Sequence, residues 1–220
     1  MRNIITTGDG SHSIFSEIFG STYHSKYGAI QESQHVFIDA ALRIKAVIQQ
    51  QIDLLEIGFG TGLNAYMTLL EAQKRNLDIT YTAIEAFPIS MENVRQLNYT
   101  QQIGTEADAL LFEQMHLQDW GQRERLNEHF SLHKIQDNFE NMSFVDQFDI
   151  IYFDAFAPNI QPHLWEEPLL QIMYDALRED GILTTYCAKG IFKRRLKSIG
   201  FVVESIPGPP GKREMTRASK

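Results

Sequence analysis

The sequence predicts a doubly wound α/β fold: a mostly parallel, seven-stranded sheet with a small β-rich extension at its N-terminus. Three observations predict it. From residue 52 onward, short apolar runs alternate with helical patterns, as in a parallel sheet covered by helices on both faces. The first of these runs, Ile52-Asp-Leu-Leu-Glu-Ile57, passes directly into Gly58, Gly60 and Gly62 and then a helix. The last two runs are joined by Ile206–Gly211, which holds three Pro and two Gly and leaves no room for a helix.

Residues 3–38 are expected to form the extension. Asp9-Gly10 between the β-prone stretches Ile4–Thr7 and Ser13–Phe19 is a hairpin signal. Tyr23 to Gly28 is polar and turn-like, and Val36-Phe37-Ile38 is apolar. A helix from about Asp39 to Gln50 leads into the sheet. We therefore divide the chain into an extension, residues 1–50, packed on a Rossmann-like domain, residues 51–220. Within that domain the first strand precedes a helix from Leu63 to about Lys74. Ile79–Ile84 is the second strand, and Ser90–Leu97 is helical, with Pro88 and Ser90 near its start. Residues 104–128 read as a mainly helical, polar lid or insertion. Phe130–Ile135 and Phe148–Phe153 are the third and fourth strands. Pro162–Leu177 is a helix followed by Gly181, and Ile182–Tyr186 is the fifth strand. A basic helix, Ile191–Ser198, stops at Gly200. Phe201–Ser205 is the sixth strand, and residues 214–218 the seventh.

Composition excludes several classes. With 43% hydrophobic residues over 220, the chain is a globular protein and not a disordered one. It has no apolar run of membrane-spanning length and no basic patch leading into an apolar core at its start, so neither a membrane span nor a signal peptide is expected. The single Cys187 excludes an internal disulfide and fits a reducing cytoplasm. Seven His residues lack metal-binding spacing, so no metal is expected. The net charge of −8 is segregated: residues 189–220 carry +7 and residues 1–188 carry −15. A basic end on an acidic body restricts where a polyanion docks.

Strand, glycine loop, helix is a nucleotide-binding arrangement, because bare backbone there approaches a ligand at a helix N-terminus. Glu56, just before the loop, repels a pyrophosphate but suits a cation, favouring S-adenosylmethionine over a nicotinamide dinucleotide. Ligands of such sheets sit at the carboxyl ends of the strands, where Glu56, Glu85, Asp137 and Asp154 all fall. Glu85, 23 residues after Gly62, is placed to hold ribose hydroxyls. Asp137 fits an acceptor for an adenine amino group. In Asp154-Ala155-Phe156-Ala157-Pro158, the carboxylate suits an attacking amine, and Phe156 offers a face for a flat base.

Gly58-Phe59-Gly60-Thr61-Gly62-Leu63-Asn64, Asp154 to Pro158, and Gly211-Lys212-Arg213-Glu214-Met215 occur in that order. Together they resemble the bacterial tRNA 5-methylaminomethyl-2-thiouridine methyltransferases, class I enzymes that use S-adenosylmethionine. Asp9-Gly10-Ser11-His12 and Gln31-Glu-Ser-Gln-His-Val-Phe37 resemble the same family's opening, so the likeness spans nearly the whole chain. The resemblance implies methylation of the aminomethyl nitrogen of 5-aminomethyl-2-thiouridine, at the wobble position of a tRNA anticodon stem-loop. It implies Asp154 as the residue nearest the amine, and Gly58, Gly60, Gly62, Asn64 and Glu85 as cofactor residues. Phe156 and Pro158 fall to the substrate side, with Lys212 and Arg213 for phosphate or base contact. Many relatives carry a second, flavin-dependent oxidase domain, for which a chain ending at Lys220 has no room. It resembles the single-domain form, whose aminomethyl-uridine tRNA comes from upstream enzymes. Two rivals stand beside this: a methyl- or aminopropyl-transferase acting on a small amine, and a non-catalytic nucleoside-binding module.

Overall fold

The computed structural model describes residues 2–220. At the N-terminus, β1 (Arg2–Thr6), β2 (His12–Ser16) and β3 (Ser21–Thr22) form a separate antiparallel sheet. The predicted hairpin is present. Its Asp9 accepts from the Ser11 amide (3.0 Å) and reaches across to the Gln31 amide (3.0 Å), so the turn also caps the helix that follows.

That helix is longer than expected and starts earlier. Residues 29–45 run continuously through α1 (Ala29–Ser33), a π-helical stretch (Gln34–Leu42) and α2 (Arg43–Lys45). Val36, Phe37 and Ile38, assigned by sequence to the β-rich extension, lie inside it and are buried.

The central sheet has eight strands, not seven, in the order β10-β11-β9-β8-β4-β5-β7-β6. Its members are β4 (Gln51–Ile57), β5 (Asp78–Ile84), β6 (Arg123–Asn127), β7 (Phe130–Ile135), β8 (Phe148–Phe153), β9 (Leu177–Thr185), β10 (Val202–Pro207) and β11 (Glu214–Ser219). The five strands from β9 to β7 are parallel; β6 and β11 are antiparallel to their neighbours. The additional strand is β6. The segment expected to be mainly helical forms α6 (Glu106–Leu117), started by a Thr105/Asp108 capping box, and then turns back as an edge strand.

The other helices are α3 (Leu63–Arg75), α4 (Met91–Val94), α5 (Tyr99–Gln102), α7 (Glu167–Ala176) and α8 (Gly190–Ile199). The helix expected over Pro162–Leu177 is divided, with a 3-10 turn at Pro162–Trp165 before α7, and β9 begins five residues earlier than predicted. Alternating residues of β4 serve two cores. Leu54 packs with Val36, Leu69 and Tyr81 on one face; Leu55 packs with Phe153, Leu170 and Leu196 on the other. The chain runs outward from β4 to β5 and β7, then returns to β8 on the opposite side of β4. That reversal opens a crevice at the carboxyl ends of β4 and β8.

Candidate functional site

The crevice holds a cavity of about 340 Å³, lined from β4 by Gly58 to Thr61, from β5 by Glu85, from β7 by Asp137 and from β8 by Asp154 to Phe156. The glycine loop fits closely. Gly58 has φ of +95°, and a Cβ there would lie 2.6 Å from the Asp154 carbonyl oxygen. Only glycine meets both demands.

Glu85 closes the loop from the side. Its two carboxylate oxygens accept from the amides of Gly60 (2.9 Å) and Phe87 (2.7 Å). Burial raises its pKa, against the pull of those amides. Asp137 is at the far wall, accepting from the Asn138 amide and the Asn141 side chain, both at 2.7 Å.

Asn64, on the first turn of α3, donates to Glu56 and to Asp154, both at 2.8 Å, and accepts from the Ser33 hydroxyl. Asp154 is held up to about pKa 7 by burial and by the nearby Glu32 carboxylate; Asn64 and Lys212 offset part of this. Glu56 does not have the position its sequence predicted. It is fully buried, does not line the cavity, and reaches it only through Asn64. Burial first, and then the charge of Asp154, push its pKa well above the usual carboxylate range, against the pull of the Asn64 hydrogen bond.

The substrate-side expectations divide similarly. Phe156 lines the cavity, stacked on Phe19 (4.3 Å between centroids) with Tyr23 edge-on (5.1 Å), whereas Pro158 lies outside the lining. Lys212 is not a free loop cation: its Nζ bonds Glu32 at 2.8 Å and sits 3.9 Å from the Tyr186 ring centre. Arg213 is exposed.

Sequence reasoning missed the contribution of the N-terminal segment. Phe19, Tyr23 and His24 line the cavity, and Arg2 donates to the carbonyls of Phe87 (2.5 Å) and Pro88 (2.7 Å) beyond it. The available signal was a run of aromatics, Tyr23, His24 and Tyr27, in an otherwise polar stretch. His24 bonds Thr61 at 2.7 Å, and burial lowers its pKa to about 4, so it is neutral near pH 7.

Four carboxylates (Glu85, Asp137, Glu140 and Asp154) and no Lys or Arg occur among the described residues lining the cavity. Such a chamber suits a cationic nucleoside such as S-adenosylmethionine and disfavours a pyrophosphate.

The comparisons with known proteins agree. The profile of a family described as S-adenosyl-L-methionine-dependent methyltransferase matches residues 107–220. The chain is 27% identical over 215 residues to the tRNA 5-methylaminomethyl-2-thiouridine biosynthesis bifunctional protein MnmC of Methylobacillus flagellatus, covering 91% of this chain and 33% of that protein. Against the same-named protein of Hydrogenovibrio crunogenus the identity is 28%, over 91% of this chain and 31% of the relative. The chain thus spans about a third of the length of these curated relatives. Among solved structures, MNMC2 from Aquifex aeolicus superposes with a TM-score of 0.79 at 26% identity, covering 100% of this chain and 70% of that one. Spermidine synthase from Thermotoga maritima, at 17% identity and TM-score 0.62, covering 99% of this chain and 67% of that one, shares the fold. By profile, fold and the chemistry of its cavity, the chain belongs to the S-adenosyl-L-methionine-dependent methyltransferases.

Proposed function

We propose that this protein methylates the aminomethyl nitrogen of 5-aminomethyl-2-thiouridine at the wobble position of tRNA, giving 5-methylaminomethyl-2-thiouridine. The observation that carries the chemistry is Asp154, at the end of β8 in a carboxylate-lined cavity with no Lys or Arg among its described lining residues and with Phe156 beside it. The choice of substrate is supported by the relatives whose names carry this tRNA modification.

When bound, S-adenosylmethionine supplies an electrophilic methyl group on a sulfonium. Gly58 and Gly60 would hold it, with Glu85 for the ribose, Asp137 for the adenine and Asn64 beside the amino-acid portion, whereas Gly62 lies outside the lining, at the start of α3 against His116 and Phe59. The residues of the chain then have three tasks. The walls exclude water and align the amine for in-line displacement, in which an N–C bond forms, the C–S bond breaks and its electron pair stays on sulfur. Asp154 accepts a hydrogen bond from the neutral amine and takes the proton released after attack. The Phe19–Phe156 stack offers the flat base a face. Residues 1–50 act as an extension that completes the chamber over the domain at 51–220.

Asp154→Ala tests the assignment. Single-turnover transfer to tRNA should fall by about 100-fold or more, with cofactor affinity within about threefold. Equal loss of binding and transfer would make Asp154 a wall of the cofactor site instead. A methyl- or aminopropyl-transferase of small amines, the rival reading, is not favoured by the relatives named for tRNA modification. Salt-insensitive turnover of a polyamine without tRNA would select it.

A further inference from the structure

Lys212 belongs to a ring of contacts that begins and ends at Asp154. Asp154 Oδ2 accepts from Asn64 Nδ2 at 2.8 Å, and Asn64 Oδ1 accepts from the Ser33 hydroxyl. Next to Ser33, Glu32 is buried, taking the Ser25 amide on Oε2 (2.7 Å) and Lys212 Nζ on Oε1 (2.8 Å). Lys212 rests on the Tyr186 ring, and the Tyr186 hydroxyl donates to the carbonyl of Ala155 at 2.8 Å. Ala155 follows Asp154, so the ring closes. It ties together α1, α3, the end of β8, the residue after β9 and the loop before β11.

We infer that Glu32 and Lys212 are a positioning pair for Asp154, setting the charge and placement of its carboxylate for the incoming amine from behind the chamber wall, and that Lys212 does not belong to a polyanion-binding surface. The inference deepens the proposed amine methylation and rests on it.

Only the Glu32 side of the pair is buried, Lys212 being partly exposed, so the pair adds little stability by itself. It sits where its two charges act on Asp154 with opposite sign. Glu32 disfavours the Asp154 carboxylate and Lys212 favours it. The other groups facing Asp154 are Glu56 on β4, Tyr81 on β5, Asn64 on α3, Tyr99 on α5 and Tyr186 beyond β9. Lys212 is the one cation among them. Its ammonium lies over the Tyr186 ring, an electrostatic contact that helps to hold the charge in place beside Glu32. Gly211, at φ +84°, packs against the Tyr27 ring, so the loop carrying Lys212 is itself pressed against the N-terminal segment.

The test is the titration of Asp154 in the full-length, cofactor-free protein, followed by carboxyl-carbon NMR with Asp154→Asn used to assign the signal. Lys212→Met should raise the midpoint by about one unit and Glu32→Gln should lower it by a similar amount. Lys212→Arg should leave it within about 0.3 unit, since the charge over Tyr186 is kept. Thermal unfolding of each variant establishes that it is folded. In parallel, Lys212→Met should leave the salt dependence of tRNA binding unchanged. Unmoved midpoints in folded Lys212→Met and Glu32→Gln would overturn the pair, even in an active tRNA enzyme. So would a salt slope reduced by about one for Lys212→Met, the mark of a lost phosphate contact. The titration uses no substrate, so a failed tRNA assay would leave the expected midpoints standing as support.

Discussion

Asp154 is costly to the fold before any ligand arrives. Its pKa is raised from the ordinary 3.8 to about 7 in the folded chain, so the native state holds its proton more tightly than the unfolded one. The stability this group contributes is therefore complete below about pH 4 and is lost as pH rises through about 7. Asp154→Asn should stabilise the cofactor-free protein by up to about 4 kcal/mol at pH 8 and by less than about half of that at pH 5. Chemical denaturation at the two values checks this; equal effects at both would mean the side chain is not held protonated. Such strain at a reacting group is the usual trade between stability and activity. The residue types in the crevice were legible: Glu85, Asp137 and Asp154 all line it, as strand ends predict. Glu56 and Lys212 were not, because adjacency along the chain does not say which side of a wall a side chain occupies. Glu56 points into the core and Lys212 folds back onto Glu32 and Tyr186.

At the scale of elements, the loop from β4 to α3 is tightly constrained at Gly58. A methyl group on Gly58 meets the Asp154 carbonyl oxygen at 2.6 Å in a backbone conformation unfavourable to L side chains. Gly58→Ala should cost about 2 kcal/mol of stability or more and lower cofactor affinity by at least about tenfold, through displacement of the Asp154 segment. Calorimetric titration of the cofactor measures the second effect, and unchanged affinity would place the ligand away from this loop. The elements that sequence reasoning missed share a physical origin. Strand β6 carries Arg123-Glu124-Arg125 on an exposed sheet edge, so it has no apolar alternation to read. Residues 36–38 and 40–42 are buried as two apolar triplets inside a π-helical stretch. Hydrogen bonds five residues apart change the period, and a search for a 3.6-residue stripe does not find it.

At the scale of the whole molecule, the separation of charge acquires a location. Of the nine basic residues from 189 onward, Lys193, Lys212, Arg217 and Lys220 are in ion pairs, and Arg195 donates to the Trp165 carbonyl. Lys189, Arg194, Lys197 and Arg213 remain exposed and make no ion pair among the described residues. If tRNA is the substrate, these are the groups that displace its counterions. Lys189→Ala and Arg213→Ala should each weaken tRNA binding and reduce its log–log salt slope by about one, as filter binding across salt concentrations would show. A slope unchanged in both would move the docking face elsewhere on the surface.

The most direct measurement is transfer of labelled methyl from S-adenosylmethionine to tRNA from cells lacking this modification step, followed by nucleoside analysis. A new 5-methylaminomethyl-2-thiouridine peak, absent with Asp154→Ala, is the result expected. A protein that binds the cofactor in this cavity yet transfers no methyl to that tRNA, while consuming the cofactor with a small amine, would contradict it.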